Sequence, residues 1–163
     1  MAISFDLEMA SPATADRLAA AFVDGAAGPG VVAAGTTPHD VLGEGVVTRS
    51  HLWCRAGVQQ PSAVPWPSPT EDSFGVTASC WLFLRVIKDE TPLRVQQDEM
   101  AWLVAGILGG VEGDAVLHWD HEVAWLMRKG GRLLVSDRDD LWTPERLAYL
   151  PHPYERVPLA FTG

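Results

Sequence analysis

The densest set of side chains able to do chemistry in this sequence is His118, Asp120, His121 and Glu122. Imidazoles beside carboxylates are the donors that hold zinc-like ions or move protons. In an extended strand, successive side chains point to opposite faces, so His118, Asp120 and Glu122 are expected on one face and His121 on the other. A metal centre needs converging ligands and groups that orient them, and no second His, Cys or carboxylate cluster at ligand spacing occurs in the sequence. The four residues therefore read either as a metal set or, more economically, as the solvated face of a strand.

Other catalytic chemistry finds less support. Ser, His and Asp are all present, but there is no G-x-S-x-G elbow, and Cys54 and Cys80 carry no catalytic signature around them. The glycine-rich stretches Gly25 to Gly30 and Gly43 to Gly45 contain neither G-x-G-x-x-G nor a phosphate-loop lysine, and read as turns. No catalytic residue and no cofactor is assigned.

Charge says more. Twelve Lys and Arg against twenty-one Asp and Glu give a net charge of -9, which repels a nucleic-acid backbone and attracts a basic partner. Glu112, Asp114, Asp120 and Glu122 follow one another with no Lys or Arg before Arg128, and Asp137, Asp139 and Asp140 come after the next turn. Asp114, Asp120, Glu122, Asp137, Asp139 and Asp140 are thus the candidate contacts for a cationic partner, with solvated turns as the plainer reading of each. Trp66 joins them as a candidate: among prolines it either packs down to anchor its loop or meets a partner, as aromatic hot spots do.

The elements that position these residues begin with a strand, where Ile3, Phe5, Leu7 and Met9 alternate with Ser4, Asp6 and Glu8. That opening lacks the basic start and apolar run of an export signal, so a cytoplasmic protein is expected. There is also no apolar run long enough for a membrane helix. A helix over Thr14 to Asp24 carries Leu18, Ala19, Phe22 and Val23 on one face. Gly28 to Gly45 is a connection with a helical turn at Pro38 to Leu42. Val46 to Val58 alternates as one strand, and Gln59 to Ser73 is a surface loop with prolines at 61, 65, 67 and 69.

Phe74 to Ile87 is the strongest strand and is expected to be central. Thr91 and Pro92 open a helix over Pro92 to Leu108, with Leu93, Met100, Leu103, Val104 and Ile107 on its stripe. Strands follow from Asp114 onward, with a hairpin turn at Lys129, Gly130 and Gly131. Thr143 and Pro144 start a short last helix, and Pro151, Pro153 and Pro158 leave an irregular tail. The order predicts one α+β domain: an antiparallel sheet of about five to six strands with two helices on one face, in a split β-α-β-like plan, plus a C-terminal hairpin and short helix.

The stretch from Asp98 to Trp142 holds a helix, the strand GDAVLH at Gly113 to His118, the W-L-x-R-x-G-G hairpin at Trp125 to Gly131 and an acidic D-D-x-W end at Asp139 to Trp142. In these pieces it resembles the Sit-type immunity proteins of bacterial polymorphic toxin systems. The opening strand is similar too, while Gly28 to Ser73 is less alike. The resemblance implies a cytoplasmic protein that neutralises a cognate toxin by binding it, without cofactor or catalytic residues. The competing expectation is a small-molecule-binding or enzymatic domain whose pocket is lined by Trp53, Trp81, Trp119 and Trp125.

Overall fold

The opening alternation forms strand β1, Ser4–Ala10, in which Phe5, Leu7 and Met9 are buried and Ser4, Asp6 and Glu8 face the other way. This computed structural model describes residues 2–163. Thr14 accepts a hydrogen bond from the Arg17 amide and so caps α1, Ala15–Ala26. Thr37 and Asp40 form a reciprocal capping box on the short α2, Pro38–Leu42, where the helical turn was expected.

The single strand expected over Val46 to Val58 is instead a hairpin. It comprises β2, Val46–Val47, and β3, Leu52–Val58, which pair antiparallel. Between them the chain reverses at His51, whose φ is 63°. The proline-rich loop holds one short helix, α3, Pro69–Phe74, capped by Ser68. Next come β4, Ala78–Val86, and α4, Leu93–Gly110. Thr91 does not cap α4 as expected; Pro92 stands at the cap without a side-chain bond, and the Thr91 hydroxyl lies 3.1 Å from His51 Nδ1. The chain closes with β5, Ala115–Trp119, β6, Val123–Lys129, β7, Arg132–Ser136, α5, Pro144–Leu147, and β8, Tyr154–Val157.

The sheet runs β2-β3-β4-β1-β5-β6-β7-β8. It is therefore an eight-stranded mixed sheet, larger than the five to six antiparallel strands expected, because Val46 to Val58 supplies two strands and β8 adds another, parallel to β7. The prolines of the tail leave room for this strand. Pro151, Pro153 and Pro158 bracket Tyr154–Val157 without interrupting it, so those four residues can still donate to a ladder.

The two long helices lie on one face as expected, sharing a core in which Leu18, Phe22, Met100, Leu103 and Ile107 join Phe5, Leu7 and Met9. The third helix departs from that plan. The buried Thr70 of α3 donates its hydroxyl to Glu8, on the opposite face of β1, so α3 covers part of the sheet's back. Among the described residues, no helix is long and apolar enough to cross a membrane.

One corner of the sheet explains the motifs of the resemblance. Gly113 has φ 125°, and a Cβ there would meet the Ala10 carbonyl at 2.7 Å, so only glycine fits. The Arg128 guanidinium donates to the carbonyls of Leu108 at 2.6 Å, of Gly113 at 2.8 Å, and of Val111, closing the open end of α4. Gly130 and Gly131, at φ 58° and 80°, make the tight hairpin turn. Trp142 then donates its indole N–H to the Trp125 carbonyl at 2.8 Å, their rings edge to face. These motifs are scaffold.

Candidate functional site

Two places gather the residues singled out in the sequence: a buried cluster behind β1 and β5, and one end of the sheet. The buried cluster forms because Asp6 pairs with His118 across the β1–β5 ladder, which sets Glu8, two residues on, beside the same imidazole. His118 is fully buried, and its Nε2 lies 3.2 Å from Glu8 Oε2. The Thr70 hydroxyl bonds the same carboxylate oxygen.

The strand ends at Trp119 and does not run on through Glu122. Asp120 and His121 adopt left-handed φ values of 51° and 54°, and the Glu122 amide donates to the Trp119 carbonyl at 2.9 Å. This tight turn overturns the expected alternation. It swings His121 back over His118, where the rings stack with centroids 4.1 Å apart, while Asp120 and Glu122 are exposed. Phe161 of the C-terminal segment stands edge-on to both imidazoles, with centroids at 5.5 and 5.7 Å.

Glu8, His118 and His121 each offer a ligand atom, all within 4.8 Å of one another, a spacing compatible with one divalent ion. The converging set thus includes Glu8 and excludes Asp120 and Glu122. Hydrogen bonding fixes what these groups do as they stand. His118 Nδ1 accepts the His121 amide at 3.2 Å, so the neutral ring carries its proton on Nε2 and donates to Glu8. An ion on His118 Nε2 requires that proton to move to Nδ1 and the His121 amide to lose its acceptor.

The electrostatics follow from the same contacts. Burial favours the neutral form of Glu8, but the hydrogen bonds from His118 and Thr70, with the electrostatic pull of His118 and His121, hold the carboxyl below its ordinary value. Burial pushes Asp6 up to about 6; Glu8 and Asp120 add to the rise and His118 opposes it. Burial, aided by His118, depresses His121.

The second place is an end of the sheet. The pairings Phe5 with Trp119 and Leu52 with Val86 put the ends of β4, β5 and β7 together with the starts of β1, β3 and β6. The loops there carry Asp89, Glu90, Asp120, Glu122, Asp137, Asp139 and Asp140. Arg156 lies 3.4 Å from Asp139, and Arg138 grips Asp140 with bonds of 3.1 and 2.6 Å. Among the described residues, Asp120, Glu122 and Asp137 have no Lys or Arg within ion-pair distance. Asp114 is elsewhere. It precedes β5 at the opposite end, roughly 17 Å away at strand rise, and braces the glycine turn by accepting the Gly130 amide at 2.9 Å with Lys129 at 3.3 Å.

Trp66 is 64% exposed, beside the exposed Val64, so it does not anchor its loop. The four tryptophans of the competing reading do not line one pocket. Trp81 pairs with Glu8 and Trp53 with Arg85, both on the back face, whereas Trp119 pairs with Phe5 on the helical face. Trp125, edge to face with Phe5 at 5.5 Å, joins Trp119 there.

An eight-stranded α+β sheet with this glycine-and-arginine corner is the frame on which the comparison with known proteins falls. The chain matches the SitI3-like family over residues 3–146 and belongs to it. That membership accords with the Sit-type resemblance read from the motifs, and it suggests an immunity role. No curated protein and no solved structure matches the chain.

Proposed function

We propose that this protein is a cytoplasmic immunity protein that binds a cognate toxin protein and neutralises it, without chemistry of its own. Membership of the SitI3-like family carries the reading. A toxin with a basic face would meet the acidic end of the sheet. Asp120, Glu122 and Asp137 are the leading contacts because their charge is not already matched by a Lys or Arg. Asp139 and Asp140 would have to exchange Arg156 and Arg138 for groups of the toxin. Asp114 would take part only through a second contact at the other end of β5, and exposed Trp66 offers a separate apolar contact.

Bound on these loops, the protein would cover the toxin surface it meets, and opposite charge would speed the encounter. Cys54 and Cys80 are unpaired, as a cytoplasmic setting allows. The test is to co-express the protein with the product of the gene beside its own. Joint purification and survival of the host support the reading, and failure of both rejects it.

A further inference from the structure

We propose that the cleft between α4 and the β2–β3 turn is a binding site for one cationic side chain, lysine or arginine, of a protein partner. Glu99 supplies the carboxylate, and Trp102 and Tyr149 the walls. The inference rests on the partner-binding reading above and adds the chemistry of the group recognised.

The cleft measures about 400 Å³ and is lined by Arg49, Ser50, Asp98, Glu99, Trp102 and Tyr149, among others. Val95, Asp98, Glu99 and Trp102 fall on one stripe of α4, at the spacing that aligns side chains along a helix. Glu99 is 8% exposed, which is unusual for a carboxylate. One of its oxygens is fully used: Oε2 accepts the hydroxyl of buried Thr48, which in turn accepts the Leu52 amide at 3.1 Å. The other is not. Among the described residues, Oε1 is the only buried side-chain polar atom without a hydrogen-bond partner.

A buried acceptor of this kind asks for a charged donor, because leaving it unmatched costs more than a missing bond at the surface. The nearest cation, Arg49, is within ion-pair distance of Oε1 but makes no hydrogen bond to it. Arg49 Nε stands 3.6 Å from Oε1, beyond hydrogen-bond reach, with 62% of its side chain in solvent. Its Nη1 is turned to the Pro29 carbonyl at 3.3 Å. Arg49 is therefore a movable cover over the acceptor. Asp98 is already held by Arg146 at 2.6 Å, which leaves Glu99 as the group with capacity.

The walls suit a cation as well. Trp102 and Tyr149 present aromatic surface that attracts an ammonium or guanidinium. The same two residues border an adjoining apolar hollow, where Gly25 and Gly106 leave open space above Phe22. An aliphatic stem or neighbouring apolar side chain fits there. The starts of β3 and α4 also put the cleft toward the end of the sheet that carries the acidic loops.

The experiment titrates the purified protein with N-acetyl-arginine methylamide and N-acetyl-lysine methylamide, with the uncharged N-acetyl-norleucine methylamide as control, following the Trp102 indole N–H by NMR. The cationic probes should bind saturably and norleucine should not. Glu99→Gln, which keeps an acceptor for Thr48, should weaken binding by about tenfold or more, the loss of one charge-assisted bond. Arg49→Ala should tighten it by uncovering the acceptor. Should Glu99→Gln fail to fold, Tyr149→Ala removes a half-exposed wall and carries the same expectation of weaker binding. Equal response to all three probes, or binding unchanged by these substitutions, overturns the proposal. Much tighter binding of spermidine than of either capped amino acid overturns the protein side chain as the source. None of these measurements uses a toxin, so their failure is distinct from failure of the immunity reading.

Discussion

Replacing Asp6 by asparagine should stabilise the protein at neutral pH and leave it unchanged in acid. Asp6 Oδ2 lies 4.0 Å from His118 Nδ1 on the back of β1, with Glu8 and Asp120 adding negative charge nearby. Burial is the first cause of its displacement, and the carboxyl titrates at about 6 against an ordinary 3.8. Because its folded value is raised, the folded state holds the proton more tightly than the unfolded chain. Its contribution to stability is therefore fully present below about pH 4 and is lost as pH rises through about 6. A gap of roughly two units sets an upper bound of about 3 kcal/mol. The side chain keeps 18% exposure, and screening by water brings the expected gain to about 1 to 2 kcal/mol. Asparagine keeps the shape of the protonated acid and never ionises. Urea unfolding of both proteins at about pH 4 and about pH 7.5 tests this, since midpoint shifts at constant slope report stability. The curves should coincide in acid and separate at neutral pH, with Asp6→Asn the more stable. A difference of equal size at both pH values, or of the opposite sign at neutral pH, refutes the reasoning.

Other expectations follow from the same geometry. Arg128→Met removes the donors to the Leu108, Val111 and Gly113 carbonyls and should lower stability by about 2 to 4 kcal/mol in chemical denaturation. A loss under about 0.5 kcal/mol would mean that the corner closes without it. Cys54 pairs with Leu84 and Cys80 with Val58, four residues apart on each strand, so they cannot form a disulfide with each other. Alkylation in denaturant without reductant should add two labels and alkylation of the native protein none, because burial raises both thiols. Neutralising the free carboxylates as Asp120→Asn, Glu122→Gln and Asp137→Asn should slow association with a basic toxin and flatten its salt dependence. Asparagine is the choice at 120 because it tolerates the left-handed φ of 51° there. Stability should stay within about 0.5 kcal/mol of the parent, and an unchanged association rate would remove this end of the sheet from the encounter.

How much of this was legible in the sequence depends on whether a signal was local. The alternation of β1, the stripe of α1 and the glycine hairpin at 130 and 131 are local patterns that the chain obeys, and α4 buries Met100, Leu103, Val104 and Ile107 of its stripe while Leu93 is exposed. The His118 cluster was half visible. Its two imidazoles lie three residues apart, but Glu8 arrives through the β1–β5 register and Thr70 through a helix on the far side of a proline-rich loop. His121 changed sides because Asp120 and His121 both take left-handed conformations, which Asp and His enter more readily than most residues but which no glycine marks here. The acidic candidates were chosen by adjacency, which cannot tell that five strand residues separate Asp114 from the others, nor that Arg138 and Arg156 engage Asp140 and Asp139. Nothing local sets Glu99 apart within α4; its burial against Thr48 is a tertiary fact. The motifs behind the family resemblance, Gly113, Arg128 and Trp142, maintain the scaffold, which is why they disclose the family and not the contact surface.

Protection is the sharpest test of whether the protein silences a toxin by binding it. Cells that express the product of the neighbouring gene should survive when this protein is co-expressed, and the two purified proteins should form a complex in which the toxin's activity is lost in proportion to the complex formed. Cells that stay sensitive despite abundant folded protein, or a toxin that keeps full activity with this protein in excess, would contradict the account.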